Sequence, residues 1–304
     1  VTAAASPGRR SRIAPAVALT LAGLAAWSPA VTAGEVTDML GRRLRIPDHA
    51  ARIVSLAPSI TETVFVLGDG ERLVGVTDYC DYPPEATRKP RVGGISTPSL
   101  EAILALRPDL VVATSESNYA EHVERLTSLG LPVYVIRPVD FETVLESIER
   151  VGEVLGRAAA ARARVAAMRR DADALARAVA GAPRPRVLYV VWPNPLIAPG
   201  RGTLISELIE RAGGESVTRA EPLPYPRLSL ETVVERRPDR IIVGRHGQAT
   251  VEELLRGWER LGSISAAREG RVYGVDGDLV HRPGPRMVEA LRALARVIHP
   301  ERVP

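Results

Sequence analysis

Short runs of β-branched and aliphatic residues recur along the chain, separated by stretches in which apolar residues return every three or four positions. The runs at 52–57, 72–77, 109–114 and 132–136 predict four strands, and those at 186–191, 240–243 and 271–275 predict three more. Between them, Ser59 before ITETVFVLG and Thr203 before LISELIERAGG open helical patterns, the second closed by Gly213. Parallel strands need crossover connections of helical length, so this alternation predicts an α/β fold with parallel sheets.

Two features organise the pattern into halves. Residues 141–180 contain no Pro and two Gly, and RAAAARARVAAMRRDADALARAVA is dominated by Ala and Arg, which predicts a long helix joining the halves as a strut. The segments SLEAILALRPDLVV, from Ser99, and SLETVVERRPDRII, from Ser229, match in Ser, Leu, Glu, Arg, Pro and Asp at equal offsets. Each reads as a Ser N-cap, a helix of about two turns, a break at Pro108 or Pro238, and a strand. The expected organisation is a leader over 1–33, an N-terminal lobe over 34–140, a connecting helical segment over 141–181 and a C-terminal lobe over 182–304.

The leader is read from Arg9, Arg10 and Arg12, the apolar run 13–27 and the small residues Val31, Thr32 and Ala33. That run is shorter than the roughly 20 apolar residues that span a bilayer, so a cleavable signal peptide and a periplasmic mature chain are expected. The 304 residues are 45% apolar and 25% charged, an ordinary globular composition that excludes disordered and collagen-like classes. Removing 1–33 takes away three Arg and leaves 37 basic against 36 acidic residues, so charge makes no case for nucleic acid. Cys80 is the only cysteine, which rules out an internal disulfide and argues against a cysteine metal site.

No nucleophile elbow, phosphate loop, dinucleotide fingerprint or H-E-x-x-H is present, so neither catalytic residues nor an enzyme activity is predicted. His49, His122, His246, His281 and His299 lack ligand spacing, and no metal site is expected. The aromatic residues are few, 4% of the chain, and several follow predicted strands: Tyr79 and Tyr82 in TDYCDYPPEA, and Trp192 in WPNPLIAPG. Tyr225 lies in PLPYPRL. Ligands of open α/β sheets bind beyond the carboxyl ends of strands, so these loops are expected to wall one cleft for a broad or ringed ligand. The alternative for Tyr82 and Tyr225 is packing of their loops against the lobes. Glu101 and Glu231 fall in the first turn of the two repeat helices, where they either offset the helix dipole, worth about 0.3–1 kcal/mol, or offer paired acceptors to Arg on a partner.

Over about residues 50–300 the sequence resembles the periplasmic substrate-binding proteins of class III ABC importers, through RIVSLAPSITETVFVLGDGERLVGVTDYCDYPPEA, KPRVGG, SLEAILALRPDLVV and RPGPRMVEAL. DYCDYPPEA followed by SLEAI is most similar to the cobalamin-binding members. The resemblance implies two Rossmann-like lobes joined by a single long α-helix, and a ligand gripped between them with modest closure. It implies corrinoid contacts at Tyr79 and Tyr225, docking of Glu101 and Glu231 onto arginines of the permease, and no cofactor. Ile95 and Thr114 stand where aromatic residues would be expected. The reading is a binder that hands a corrinoid to an ABC permease and its ATPase, with Tyr79, Trp192 and Tyr225 as ligand contacts and Asp276 and Arg286 as polar rim. Within the same family the alternatives are a ferric siderophore, met by Arg201, Arg227, Arg245 and Arg282, or haem, ligated by Tyr79, Tyr225, His246 or His281. An exported α/β enzyme is the alternative outside it.

Overall fold

The computed structural model describes residues 1–4, 33–245, 253 and 262–303. Most of the expected leader, 5–32, and His246 lie outside these residues. Val1–Val31 is a unit of its own, and everything below concerns Thr32–Pro304.

An antiparallel hairpin that the pattern did not anticipate, β1 (Ala33–Thr37) and β2 (Arg43–Pro47), comes first. The buried Asp38 closes its turn, accepting from the N–H groups of Leu40 and Arg42 at 3.0 and 2.9 Å. All seven predicted strands follow. β3 (Ile53–Ser55), β4 (Leu73–Val76), β5 (Leu110–Thr114) and β6 (Val133–Ile136) form a parallel sheet in the order β4-β3-β5-β6. Helices α1 (Pro58–Val66), α2 (Leu100–Ala105) and α3 (Ala120–Ser128) connect them. Every residue of β3, β5 and β6 is buried, as a parallel sheet covered on both faces requires.

The second half repeats that topology. Its parallel sheet runs β10-β7-β11-β12, built from β7 (Arg186–Val190), β10 (Glu215–Ser216), β11 (Arg240–Arg245) and β12 (Val272–Asp276). A small hairpin, β8 (Trp192–Pro193) with β9 (Leu196–Ile197), precedes α6 (Leu204–Arg211), and α7 (Leu230–Arg236) leads into β11. The sequence repeat is a repeat of contacts. Ser99 and Ser229 each cap a helix by accepting from an N–H three residues on, at 3.2 Å. Arg107 and Arg237 both take left-handed φ values, 45° and 44°, because the following proline forbids another helical turn. Asp109 then accepts from the N–H of Arg52, and Asp239 from that of Arg186. The side chains of those two arginines reach back to the carbonyls of Leu106 and Arg236.

The expected long helix is present but does not fill the connecting segment. The chain forms α4 (Phe141–Val154) and α5 (Ala158–Val179), with a corner between them. Gly156 turns at φ 72°, the left-handed residue that commonly ends a helix, and composition dominated by Ala and Arg hid this stop. The buried Asp69 holds the corner, gripping Arg157 and Arg72 at 2.8 Å each. The long helix is therefore α5, 22 residues or about 33 Å, which packs against α4 and the C-terminal helix Met287–Ile298. One continuous core takes residues from both sheets, Ile53, Leu110 and Tyr134 from the first and Val187, Tyr189 and Ile242 from the second. Shared packing of this kind opposes wide opening, because parting the halves would expose close-packed apolar surface. Among the described residues no helix is long and apolar enough to cross a membrane.

Candidate functional site

In both sheets the chain leaves the first strand toward one side and returns on the other, which opens a crevice at the carboxyl ends of the central strands. In the first half this point is β3 and β5. Asn118, 6% exposed, ties it together: its Oδ1 accepts from the N–H of Thr114 at 2.8 Å, and its Nδ2 donates to the carbonyls of Leu56 and Ile95 at 3.0 and 2.7 Å. Around that knot lies a cavity of about 160 Å³ lined by Ser59, Tyr79, Ile95 and Thr114 from the first half, and Asp278, His281 and Arg282 from the second. A larger cavity of about 420 Å³ is lined by Glu116 and Arg137 from the first half, and by Thr203 and Tyr225 from the second. Ser117, His281 and Pro283 line both, so the two cavities form one cleft between the sheets.

Each ring reaches the cleft on a braced loop. The N–H of Gly200 donates to the carbonyl of Pro224 at 2.7 Å and that of Arg201 to Glu221 at 3.0 Å, which fixes the Pro-rich loop carrying Tyr225. Tyr225 is 53% exposed and Tyr79 59%, large apolar surfaces without a protein partner for most of their area. Desolvation in the cleft, and secondly the Glu116 charge facing it across the gap, push the Tyr225 phenol up. His281 lies edge-on to Tyr189 with its Nε2 3.0 Å from the phenol oxygen, and burial pushes the Tyr189 phenol up, so it stays protonated.

The loop 282–286, after β12, crosses to the first half. Arg282 meets Asp81 at 2.5 Å, Asp278 at 3.2 Å and Glu62 at 3.6 Å. Burial opposes its charge, yet the three carboxylates outweigh that and hold the guanidinium above its ordinary value. The same contact holds the Asp81 carboxyl below its own.

Of the five expected ligand residues, Tyr79 and Tyr225 come together in this cleft, while Trp192, Asp276 and Arg286 line neither cavity. Trp192 is half exposed on its hairpin, its Nε1 donating to the carbonyl of Asn194. Asp276 caps the helix Gly277–His281, accepting from the N–H groups of Asp278 and Leu279. Arg286 forks onto Glu62 and lies 3.9 Å over the ring of Tyr82, so Tyr82 belongs to the seam between the halves. The polar positions on the cleft wall are instead Asp278 and Arg282, with Glu116 and Arg137 at the ends of β5 and β6. The carboxyl-end rule, applied to every strand and to polar as well as aromatic residues, would have found the last two. Arg201, Arg227 and Arg245 are exposed and line neither cavity. Among the described residues no His, Cys, Asp and Glu cluster that could hold a metal is present. Glu101 and Glu231 are both exposed in the first turns of α2 and α7, and the carboxyl of Glu231 is held below its ordinary value by its own N–H and by the Ser229 hydroxyl.

Residues 53–279 match the family described as periplasmic binding protein. The chain belongs to that family. A vitamin B12-binding protein of Vibrio cholerae is 29% identical over 81% of this chain and 88% of its own. A crystal structure of the periplasmic vitamin B12-binding protein of that organism superposes with a TM-score of 0.73 at 28% identity, covering 82% of this chain and 96% of the other. An uncharacterized ABC transporter substrate-binding lipoprotein of Bacillus subtilis is 31% identical over 88% of this chain and 85% of its own. The apo form of a periplasmic haem-binding protein from Roseiflexus sp. RS-1 gives a TM-score of 0.75 at 27% identity, over 83% and 98% of the two chains. This periplasmic binding protein is thus a substrate-binding component of an ABC importer, working with a permease and its ATPase, and not an enzyme.

Proposed function

We propose that this periplasmic binding protein captures a corrinoid, cobalamin or a near relative, and delivers it intact to its permease. The observation that carries the reading is the chemistry of the cleft. Two half-exposed tyrosine rings stand on opposite halves, and the cation on the wall of the smaller cavity is already met: Arg282 is shared by three carboxylates, while Arg137 and Glu116 line the larger cavity together. A neutral ring system fringed with amides suits such a wall, since amides can both donate to Asp278 and Glu116 and accept from Arg282 without disturbing the pairs. An anionic ferric chelate would have to compete with those carboxylates for cations, at a desolvation cost. The larger cavity, about 420 Å³, has the volume of a small-molecule site and exceeds what a bare oxyanion needs.

In this reading residues 34–140 and 182–304 are the gripping lobes, joined through 141–181, and residues 1–33 are a cleavable signal peptide for export to the periplasm. Glu101 and Glu231 are the handles that dock arginines of the permease. Support for that role is the equivalence of their helices in the repeat and their exposure.

Calorimetric titration with cyanocobalamin tests the assignment. Saturable binding at one site, weakened about fivefold by Tyr79→Ala or Tyr225→Ala, is expected, as loss of a stacked ring is worth about 1 kcal/mol. No heat with cyanocobalamin, together with a Soret band on adding haemin that Tyr79→Phe abolishes, would move the cargo to haem. For docking, Glu101→Ala combined with Glu231→Ala should abolish association with the permease and leave ligand affinity unchanged.

A further inference from the structure

Glu62 is a carboxylate where the sequence would favour an apolar side chain. It sits in α1 among buried residues such as Ile60, Thr63 and Val64, and its side chain is 2% exposed. Arg286 approaches it from the other half as a fork, Nε to Oε2 at 2.9 Å and Nη2 to Oε1 at 2.7 Å. Arg282 approaches the same Oε1 through Nη1 at 3.6 Å while its other contacts, Asp81 and Asp278, lie at the rim. Two guanidinium groups therefore converge on one buried carboxylate. Arg286 is held above its ordinary value because the Glu62 hydrogen bonds outweigh its burial, while the charge of Arg282 works in the opposite sense.

A buried ion pair of this kind is no more stabilising than a well-packed apolar pair, so its usefulness lies in geometry. Here the geometry is that of the cleft: Arg282 lines the wall, and Arg286 is kept off it by the fork and by the ring of Tyr82 beneath its guanidinium. The backbone between the two arginines is clamped as well, with Gly284 against Ser59 and the carbonyl of Pro285 receiving Arg164 at 2.5 Å. Without the Glu62 charge, the two cations would repel each other and Arg282 would lose its inner anchor while keeping only exposed ones.

We propose that Glu62 is a positioning residue for ligand binding, which, by neutralising Arg286 and anchoring Arg282, holds the Arg282 guanidinium at the cleft wall. This rests on reading the cleft as the ligand site. The test is the isosteric Glu62→Gln in the full chain, crystallised without ligand and titrated with cyanocobalamin. The expected structural result is displacement of Arg282 outward from its place at the cleft wall, toward the exposed Asp81 and Asp278, and an Arg282 left in place overturns the proposal whether or not cyanocobalamin binds the unaltered protein. The expected binding result is a loss of about tenfold that vanishes in the Arg282→Ala background; an equal loss in both backgrounds would mean that Glu62 acts only on general stability and also overturns it. Arg286→Gln supplies a second route should Glu62→Gln not fold: freed of its rival, Arg282 is expected to close on Glu62 from 3.6 Å and leave Asp81. An unmoved Arg282 there refutes the coupling. Failure of cyanocobalamin to bind the unaltered protein, with the displacements seen, refutes the corrinoid reading and not the positioning role.

Discussion

Replacing Asn118 tests whether one side chain holds the cleft floor. Asn118→Leu keeps the branched shape and removes three hydrogen bonds, leaving the N–H of Thr114 and the carbonyls of Leu56 and Ile95 without those partners at a buried position. At about 1 ± 0.5 kcal/mol for each bond, the expected loss of stability is about 3 kcal/mol, within bounds of about 1.5 and 4.5. Asn118→Asp sharpens the test. It keeps the acceptor for Thr114 but sets a carboxylate oxygen against two carbonyls, so its loss should equal or exceed that of Leu near pH 7. That loss should shrink on acidification, because a protonated carboxyl can donate to one of them. Urea unfolding, with the slope required to match that of the unaltered chain, measures both. A loss below about 1 kcal/mol for Asn118→Leu, or an Asp variant that is no better at pH 5 than at pH 8, would refute the reasoning. Because Ile95 and Thr114 line the smaller cavity, both variants should also weaken ligand binding.

Three further outcomes are expected. In Gly284→Ala the new Cβ would lie 3.1 Å from the Cβ of Ser59 and 3.2 and 3.3 Å from its Cα and carbonyl oxygen, so the seam must part; a loss of about 1–3 kcal/mol in thermal or urea unfolding is expected, and none would mean that the seam yields freely. Cys80 is fully buried, and burial raises its thiol above 9.0 against the opposing hydrogen bonds of Thr61 and Thr77, so iodoacetamide at pH 8 should leave the native protein unmodified and label it once unfolded. Asp81 is held below 3.8 in the folded chain, foremost by its hydrogen bond with Arg282, and so binds fewer protons folded than unfolded. Its contribution is therefore present above about pH 4 and fades as pH falls through the lower folded value, and the stability gap between the unaltered chain and Asp81→Asn should match at pH 7 and 5 and narrow by pH 3.

The duplicated architecture was legible because it rests on local rules. Ser99 and Ser229 are caps, Pro108 and Pro238 are breaks, and the aliphatic runs between helices can be nothing but covered parallel strands. The stop at Gly156 was not read from the sequence because two local signals disagree there: the Ala and Arg that follow it favour helix, while a single glycine ends one. Tyr79 and Tyr225 were found because bulky rings after strands or between prolines carry their own signal. Asp278 was missed, and Arg282 was named only as one of four arginines for a siderophore, because Asp276 and Arg286 stand beside them in the same segment and nothing local tells a capping carboxylate from a lining one.

What the sequence determined by itself is the seven main parallel strands, the repetition of the halves and the edge of the sheets at which a ligand would lie, since caps, breakers and hydrophobic period act over a few residues. Which polar side chains face the ligand was decided only by tertiary structure. Charge pairing across the halves, Glu62 with Arg286 and Asp81 with Arg282, joins residues about two hundred positions apart, and electrostatic energy depends on that distance in space, which the order of residues does not contain.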